Sequence, residues 1–127
     1  MAHILAVDDS RSMRQLVSMA LSNAGHAVDV ANDGSEALAA ARRGSYDAIV
    51  TDVNMPNMDG IALVRELRAL PRYKSIPILI MTTEATPERK QESRDAGASG
   101  WLVKPFKTEN LLSLFARVLL TAPRRPS

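Results

Sequence analysis

The chain has 127 residues, of which 46% are hydrophobic and 24% charged, with a net charge of +2 at pH 7. This is enough apolar material for one domain of ordinary size with its own core. The lack of cysteine excludes disulfides and thiolate metal sites, no apolar run approaches the roughly 20 residues that span a bilayer, and the 4% aromatic content without a basic stripe argues against nucleic-acid binding.

The first half of the chain contains two strand–helix pairs and a third strand. His3–Val7 is an apolar run that predicts a strand, and apolar residues at helical spacing after it predict a helix that ends at Gly25. Ala27–Val30 predicts a short second strand, and the helix after it is closed by Gly44. Asp47–Thr51 predicts the third strand.

The second half continues the same alternation. A loop leads into a third helix that stops at Pro71, and Ile76–Met81 predicts the fourth strand. Pro87 suits the first turn of the fourth helix, where its missing N–H costs nothing, and Gly97 ends that helix. Ser99–Val103 predicts the fifth strand, and a leucine-rich amphipathic pattern predicts the last helix.

Five strand–helix units in one small domain predict an α/β fold. We expect a single five-stranded parallel sheet with five helices on both faces and right-handed crossovers. Residues 1–120 make up this domain. The proline-rich polar stretch 121–127 is predicted to be a flexible tail.

Polar side chains follow four of the five predicted strands, at the point where each strand ends. Asp8 and Asp9 follow the first strand, and Asp52 follows the third. Thr82 follows the fourth and Lys104 the fifth. Open parallel sheets bind ligands at the carboxyl ends of their strands, so we expect these side chains to lie together. The second strand carries no comparable residue, which suits an edge position.

Each of these residues has a simpler interpretation when taken alone. Asp8 and Asp9 could cap the following helix, and Asp52 could open a turn. Thr82 and Lys104 could be ordinary strand-end residues. Their joint placement at successive strand ends favours a functional site, because two adjacent acids at a buried strand end repel each other unless a cation such as Mg²⁺ lies between them.

The residue types fit phosphoryl transfer. A carboxylate such as that of Asp52 can attack phosphorus and form an acyl phosphate. Mg²⁺ held by Asp9 and Asp52 would neutralise one side of the phosphoryl group. Lys104 would place a positive charge on another side, and the Thr82 hydroxyl would donate a hydrogen bond to a third oxygen. Because Pro105 follows Lys104, a cis peptide bond there could aim the lysine inward.

At this point a family resemblance is clear. The segments AVDDSRSMRQLV, DVNMPNMDG, TTEA and GASGWLVKPF resemble the receiver domains of two-component response regulators, above all the single-domain chemotaxis receivers of the CheY type. The resemblance runs from about His3 to Leu120. It implies a flavodoxin-like sheet with the strand order 2-1-3-4-5.

The resemblance also implies a role for each site residue. Asp52 is the expected phosphoacceptor, and Thr82 and Lys104 are expected to contact the phosphoryl group. Asp8, Asp9, Asp52 and the backbone carbonyl of Asn54 are expected to hold Mg²⁺. Trp101, at a position where tyrosine or phenylalanine is commoner in the family, is expected to switch together with Thr82.

The function expected from the resemblance is a phosphorylation-activated signalling switch in chemotaxis. Such a domain is not an enzyme in the usual sense, since it catalyses only its own phosphorylation and dephosphorylation. Its expected partners are a histidine kinase of the CheA type and a flagellar motor switch protein or a phosphatase, with no nucleic acid and no membrane. We expect a cytoplasmic monomer, consistent with the absence of cysteine and of a signal-peptide pattern at the start of the chain.

Three alternatives stay open from the sequence. The same switch could be a phosphorelay intermediate or a phosphate sink instead of a motor regulator. A phosphatase of the haloacid dehalogenase kind also uses an aspartate at a strand end, but it needs a second acid two residues later, where this chain has Asn54. A flavodoxin-like cofactor protein fits least, because acids at the strand ends would repel a flavin phosphate.

Overall fold

Five parallel strands form the centre of the structure, a computed structural model that describes residues 1–121 and, for Thr121, the backbone alone. Their order in the sheet is β2-β1-β3-β4-β5, so the expected order is confirmed and β2 lies at an edge. Every neighbouring pair is parallel. The strands are β1 (His3–Val7), β2 (Ala27–Ala31), β3 (Ala48–Asp52), β4 (Ile78–Thr82) and β5 (Gly100–Val103).

Five α-helices alternate with the strands, as the sequence predicts. A short 3-10 helix between α3 and β4 was not predicted. Within residues 1–121, no helix is both long enough and apolar enough to cross a membrane. Residues 122–127 of the predicted tail lie outside the described residues. The helices are α1 (Arg11–Asn23), α2 (Gly34–Arg43), α3 (Gly60–Arg68), the 3-10 helix (Pro71–Tyr73), α4 (Pro87–Ala96) and α5 (Thr108–Thr121).

Side-chain caps begin four of these helices. Ser10 caps α1 by accepting a hydrogen bond from a backbone N–H of the first turn, and Asp33, Asp59 and Thr86 do the same for α2, α3 and α4. Such a cap stabilises a helix by about 1 kcal/mol. Gly97 ends α4 in the left-handed region, at φ 109°, which glycine adopts without steric cost.

The sheet divides the hydrophobic core into two clusters. Leu5, Ile49 and Ile80 point to one face and pack with α2, α3 and one residue of α4. Ile4 and Met81 point to the opposite face and pack with α1 and α5. Alternate residues of a strand point to opposite faces, so strands covered on both sides must be apolar throughout. The prediction of helices on both faces is thereby confirmed.

The main correction concerns the bounds of β3 and β4. Asp52 and Thr82 are the last residues of these strands, whereas the sequence placed them just beyond. Asp52 pairs with Met81 and Thr82 pairs with Val103 in the parallel ladders, so each strand runs one residue further than predicted. Asp47 precedes β3, and its carboxylate accepts a hydrogen bond of 2.8 Å from the backbone N–H of His3. Ile76 also falls outside its strand.

Candidate functional site

Three carboxylates meet at the carboxyl edge of the sheet. Asp8 directly follows β1 and is 1% exposed, Asp9 is exposed, and Asp52 ends β3 with 6% exposure. Each offers one oxygen, and these oxygens lie within 4.8 Å of one another. The proximity follows from the sheet, because β1 and β3 are neighbours and Val7 pairs with Thr51.

The helix-cap interpretation of Asp8 and Asp9 is not realised, because Ser10 caps α1. Oδ1 of Asp8 accepts a hydrogen bond of 2.9 Å from the Ser10 N–H, which orients the carboxylate. The backbone carbonyl of Asp8 accepts a bond of 2.8 Å from the Arg14 guanidinium. Asp8 is therefore held in place from both sides.

Lys104 brings a positive charge into this acidic cluster from the end of β5. Its Nζ lies 2.8 Å from Oδ2 of Asp8 and 3.1 Å from Oδ1 of Asp52. The lysine is 14% exposed, so water screens both ion pairs only in part. The Lys104–Pro105 peptide bond is cis, as the sequence suggested.

Burial and the neighbouring charges shift the pKa values of Asp52 and Lys104. Burial raises the pKa of Asp52 above its usual value, the charge of Asp8 raises it further, and Lys104 opposes the rise. Burial alone would lower the pKa of Lys104. The hydrogen bond to Asp8 and the charge of Asp52 outweigh burial, so the pKa of Lys104 is raised overall. Because burial destabilises the charged form of the Asp52 carboxylate, any cation added nearby stabilises that form.

Thr82 lies next to this cluster but turns its hydroxyl toward the following loop. Its Oγ1 donates to the backbone carbonyl of Glu84 and accepts from the backbone N–H of the same residue, both at 3.0 Å. The backbone carbonyl of Thr82 accepts from the N–H of Lys104 at 2.7 Å, which ties the ends of β4 and β5 together. The threonine is therefore placed at the site while its hydroxyl holds the β4–α4 loop.

A tight loop brings the chain from Asp52 into α3. The Gly60 N–H donates to the Val53 carbonyl at 2.8 Å, so the loop folds back on the end of β3. A Cβ atom at Gly60 would overlap the carbonyl oxygen of Asp52. The sequence predicted a loop before the third helix, but nothing in it indicated that Gly60 supports the backbone of Asp52. Asn54 is exposed within this loop.

Trp101 is the second residue of β5 and packs partly buried against the cluster on the α2–α4 face. Two cations of α4 cover its ring: Lys90 Nζ lies 5.1 Å and Arg94 Cζ 5.5 Å from the ring centroid. Both distances are within the range of cation–π attraction. The sequence did not predict this stack, although a spacing of four residues on a polar helix is a signal for it.

The acidic cluster fits a hard divalent cation. Mg²⁺ prefers oxygen ligands in octahedral geometry and usually keeps several of its waters, so two or three carboxylates at one edge are sufficient. Asp8, Asp9 and Asp52 supply these oxygens, and the exposed Asp9 leaves room for water. The arrangement combines a cation site, a buried carboxylate and a lysine, which are the groups needed to bring a phosphoryl group to Asp52.

Comparison with known proteins gives a consistent result. Residues 4–116 match the family model of the response regulator receiver domain. The chemotaxis protein CheY of Pseudomonas aeruginosa is 40% identical over 120 residues, covering 91% of this chain and 97% of that protein. The chemotaxis protein CheY-3 of Vibrio cholerae is 41% identical, covering 85% of this chain and 84% of that protein.

Longer regulators match as well. The response regulator MprA of Mycobacterium leprae is 41% identical over 91% of this chain. The chain spans 50% of the length of MprA. The chain spans 13% of the gliding motility regulatory protein of Myxococcus xanthus, at 42% identity. In these proteins the matching stretch is one part of a larger chain.

Two solved structures resemble the present one closely. The chemotaxis protein CheY4 of Vibrio cholerae has a TM-score of 0.90 and 53% identity, covering 93% of this chain and 98% of that chain. The receiver domain of a sensor histidine kinase from Pseudomonas aeruginosa was solved with a magnesium ion in its active site cleft. It has a TM-score of 0.86 and 31% identity, and the match covers 93% of this chain and 97% of that chain.

Proposed function

The chain belongs to the response regulator receiver domain family of two-component signalling, and we propose that it is a phosphorylation-activated switch in chemotaxis. The observation that carries the proposal is the environment of Asp52. This carboxylate is buried at the end of β3, 3.1 Å from the Lys104 ammonium and beside the carboxylates of Asp8 and Asp9. Asp8 shares these neighbours, but both of its oxygens are already engaged, Oδ1 by the Ser10 N–H and Oδ2 by Lys104.

The chemistry begins with nucleophilic attack by Asp52. A histidine kinase of the CheA type would present phosphohistidine, and a carboxylate oxygen of Asp52 attacks the phosphorus. The phosphorus–nitrogen bond breaks, an acyl phosphate forms, and the imidazole leaves with the bonding electrons. Lys104 stays within reach of the phosphoryl oxygens and offsets their charge.

Asp8, Asp9, Asp52 and the backbone carbonyl of Asn54 would hold Mg²⁺ at this site. When bound, the cation would supply a second positive charge that offsets the charge of the phosphoryl oxygens. The three carboxylates meet the requirement for oxygen ligands, and their mutual repulsion gives the site its affinity for a cation. Asn54 follows Asp52 by two residues in the exposed loop, close enough along the chain to contribute its carbonyl.

The phosphoryl group would change the contacts of Thr82 and Trp101. To donate to a phosphoryl oxygen, the Thr82 hydroxyl must give up its bond to the Glu84 carbonyl, which frees the β4–α4 loop. Trp101 lines the same small cleft as Thr82 and Lys90, so it responds to this movement. Phosphorylation thus biases an equilibrium between two arrangements of α4 and β5.

The proposed partners bind the face formed by α4, β5 and α5. Lys90 and the exposed Lys107 contribute positive charge to it, so we infer a partner with an acidic, partly apolar helix, such as a flagellar motor switch protein. A phosphatase would also use it. The protein is proposed to work as a cytoplasmic monomer that binds neither nucleic acid nor membrane and modifies no other substrate.

The acceptor is tested by labelling with acetyl phosphate or phosphoramidate, followed by intact-mass spectrometry. The wild-type protein should gain one phosphoryl group, and Asp52→Asn should gain none. Asp33→Asn is the matched control, because asparagine also caps α2 and Asp33 is not part of the acidic cluster. Stoichiometric labelling of Asp52→Asn would remove the assignment, and steady turnover of small phosphate esters would favour the phosphatase.

The output face is tested separately with the phosphorylated form. Charge reversal at Lys90 or Lys107 should weaken capture of the partner by a few-fold to tenfold and leave labelling of Asp52 intact. If neither reversal changes capture while substitutions on α1 abolish it, the output passes through α1. The phosphorelay function would then be preferred to the motor function.

A further inference from the structure

Helix α4 is buried very unequally along its length. Its buried residues are Ser93 and Ala96, both in the C-terminal half. Residues 87–92 include none that is buried. Most of the apolar packing that fixes a surface helix in place is therefore confined to one end of α4.

The buried end of α4 is also held by an arginine from another helix. Arg68, the last residue of α3, donates from Nε to the Gly97 carbonyl at 2.9 Å. Its Nη1 donates to the carbonyls of Tyr73 and Ile76, both at 2.8 Å, and its Nη2 to Oγ of Ser99 at 3.3 Å. One guanidinium thus joins α3, the 3-10 helix and the segments that enter β4 and β5 to the C-terminal end of α4.

The aliphatic part of the Arg68 side chain also lies close to Gly97. A Cβ atom at this position would lie 2.9 Å from Cγ of Arg68, so the arginine side chain packs directly on the glycine backbone. Burial lowers the pKa of the Arg68 guanidinium, yet four acceptors surround the group and compensate for lost water. The planar fork of arginine reaches these acceptors in several directions, which the single ammonium of lysine cannot do.

The opposite end of α4 contains no buried residue, and besides the Lys90–Trp101 stack its attachments are weak. Thr86 caps the helix, and the side chain of Arg89 lies 3.9 Å from the Glu84 carboxylate, which is 62% exposed. An exposed ion pair at this distance contributes little. Beneath this end is the small cleft lined by Thr82 and Lys90, among others. The Thr82 hydroxyl holds the preceding loop through two hydrogen bonds to Glu84, and phosphorylation would break the one donated to the Glu84 carbonyl.

We propose that Arg68 is a positioning residue that turns α4 into a lever, with its hinge at Gly97 and its free end above Thr82. This inference rests on the proposed function, because loss of the hydrogen bond from Thr82 to the Glu84 carbonyl supplies the movement. The N-terminal half of α4 swings, while the last turn stays fixed to α3. Lys90, farther from the hinge, moves across the Trp101 ring more than Arg94 does.

Hydrogen exchange followed by mass spectrometry tests the lever. Beryllofluoride is added as a phosphoryl analogue, and fluorine NMR verifies that it binds at the site. In the wild-type protein, exchange should change within residues 87–92 and stay unchanged within residues 94–98. A uniform change along α4 would overturn the lever even though the ligand binds. Absence of bound beryllofluoride would instead count against the proposed function.

The anchor is tested in the resting protein, without any ligand. Arg68→Lys should raise exchange in the last turn of α4 about tenfold, as expected for the loss of one or two hydrogen bonds. Arg65→Lys, on the exposed side of the same helix, is the matched control and should change nothing. With beryllofluoride, the Arg68→Lys response should spread along all of α4, at an unchanged labelling rate of Asp52. Unaltered protection of residues 94–98 in Arg68→Lys would refute the anchor.

Discussion

The ammonium of Lys104 lies 2.8 Å from the carboxylate of Asp8, although the two residues are 96 positions apart in the chain. The contact spans the carboxyl edge of the sheet from β1 to β5 and includes Asp52, 3.1 Å from the same nitrogen. In the resting protein the lysine therefore neutralises part of the charge that would otherwise attract a metal ion. Metal and lysine compete for the same carboxylates.

This competition predicts the effect of removing the lysine charge. Lys104→Met should bind Mg²⁺ about 3- to 10-fold more tightly, because a positive charge adjacent to the ion is lost in a partly buried site. Isothermal titration calorimetry at low ionic strength measures the affinity. Lys107→Met is the control, since Lys107 is exposed and its removal should leave the affinity nearly unchanged. Weaker binding in Lys104→Met would show that the lysine organises the site instead of competing for it.

The raised pKa of Asp52 predicts a pH-dependent stability effect. Burial, then the charge of Asp8, hold this pKa above its ordinary value of 3.8, so the folded protein binds a proton at Asp52 more tightly than the unfolded chain does. Stability contributed by this group is therefore lost as pH rises from the unfolded pKa through the folded one. Asp52→Asn should stabilise the protein on the order of 1 kcal/mol at pH 7.

The same gain should shrink as pH falls toward 3.8 and disappear below it, where Asp52 is protonated in both states. Urea unfolding between pH 4 and 8 gives the profile. Asp33→Asn serves again as the control, since it removes one carboxylate that is not part of the acidic cluster. A stability difference that is constant over this range would mean that the gain comes from packing and not from charge.

A methyl group at Gly60 should damage both fold and site. Its Cβ would lie 2.9 Å from Cα of Val53 and overlap the Asp52 carbonyl, and backbone atoms cannot turn aside as a flexible side chain can. Gly60→Ala should cost about 2 kcal/mol or more and slow the labelling of Asp52. At Gly44, the nearest atom would be 3.3 Å away, so Gly44→Ala should cost clearly less. Equal losses in both variants would contradict the close-approach argument.

Removal of the Thr82 hydroxyl should loosen the β4–α4 loop. Thr82→Ala loses both hydrogen bonds to Glu84, at a cost of about 1 kcal/mol, and should speed exchange of the Glu84 amide. Thr82→Ser keeps the hydroxyl and should behave much like the wild type. Labelling of Asp52 should persist in both variants, because the acceptor is intact. A protected Glu84 amide in Thr82→Ala would show that other contacts hold this loop.

The fold could be predicted from the sequence because its strands are short apolar runs closed by clear signals. β1 was placed without error, and Gly97 and Pro87 marked the ends of α4 correctly. The alternation of strands and helices fixed the fold class. The strand order came from the family resemblance, because five strands can be arranged in many ways that satisfy the same pattern. The ends of β3 and β4 were misplaced, since pairing between strands decides where a ladder stops.

The site could be predicted only in part, for a similar reason. Asp52 and Lys104 stood out because polar residues at the ends of apolar runs are visible locally. Arg68 did not stand out, since an arginine on an amphipathic helix is ordinary until the folded chain brings its acceptors within reach. The Glu84 contact of Thr82 was missed as well, because nothing in the two residue types indicates which way the hydroxyl turns.

The division of the core by the sheet has a consequence for engineering. Ile4 and Phe115 belong to the cluster on the α1–α5 face, and Ile49 and Leu67 to the cluster on the α2–α4 face. Side chains in different clusters share few neighbours, so substitutions in one should combine almost additively with those in the other. The α1–α5 layer can therefore be redesigned for thermal stability as a separate module, while the layer that holds Arg68 and Trp101 keeps its native sequence.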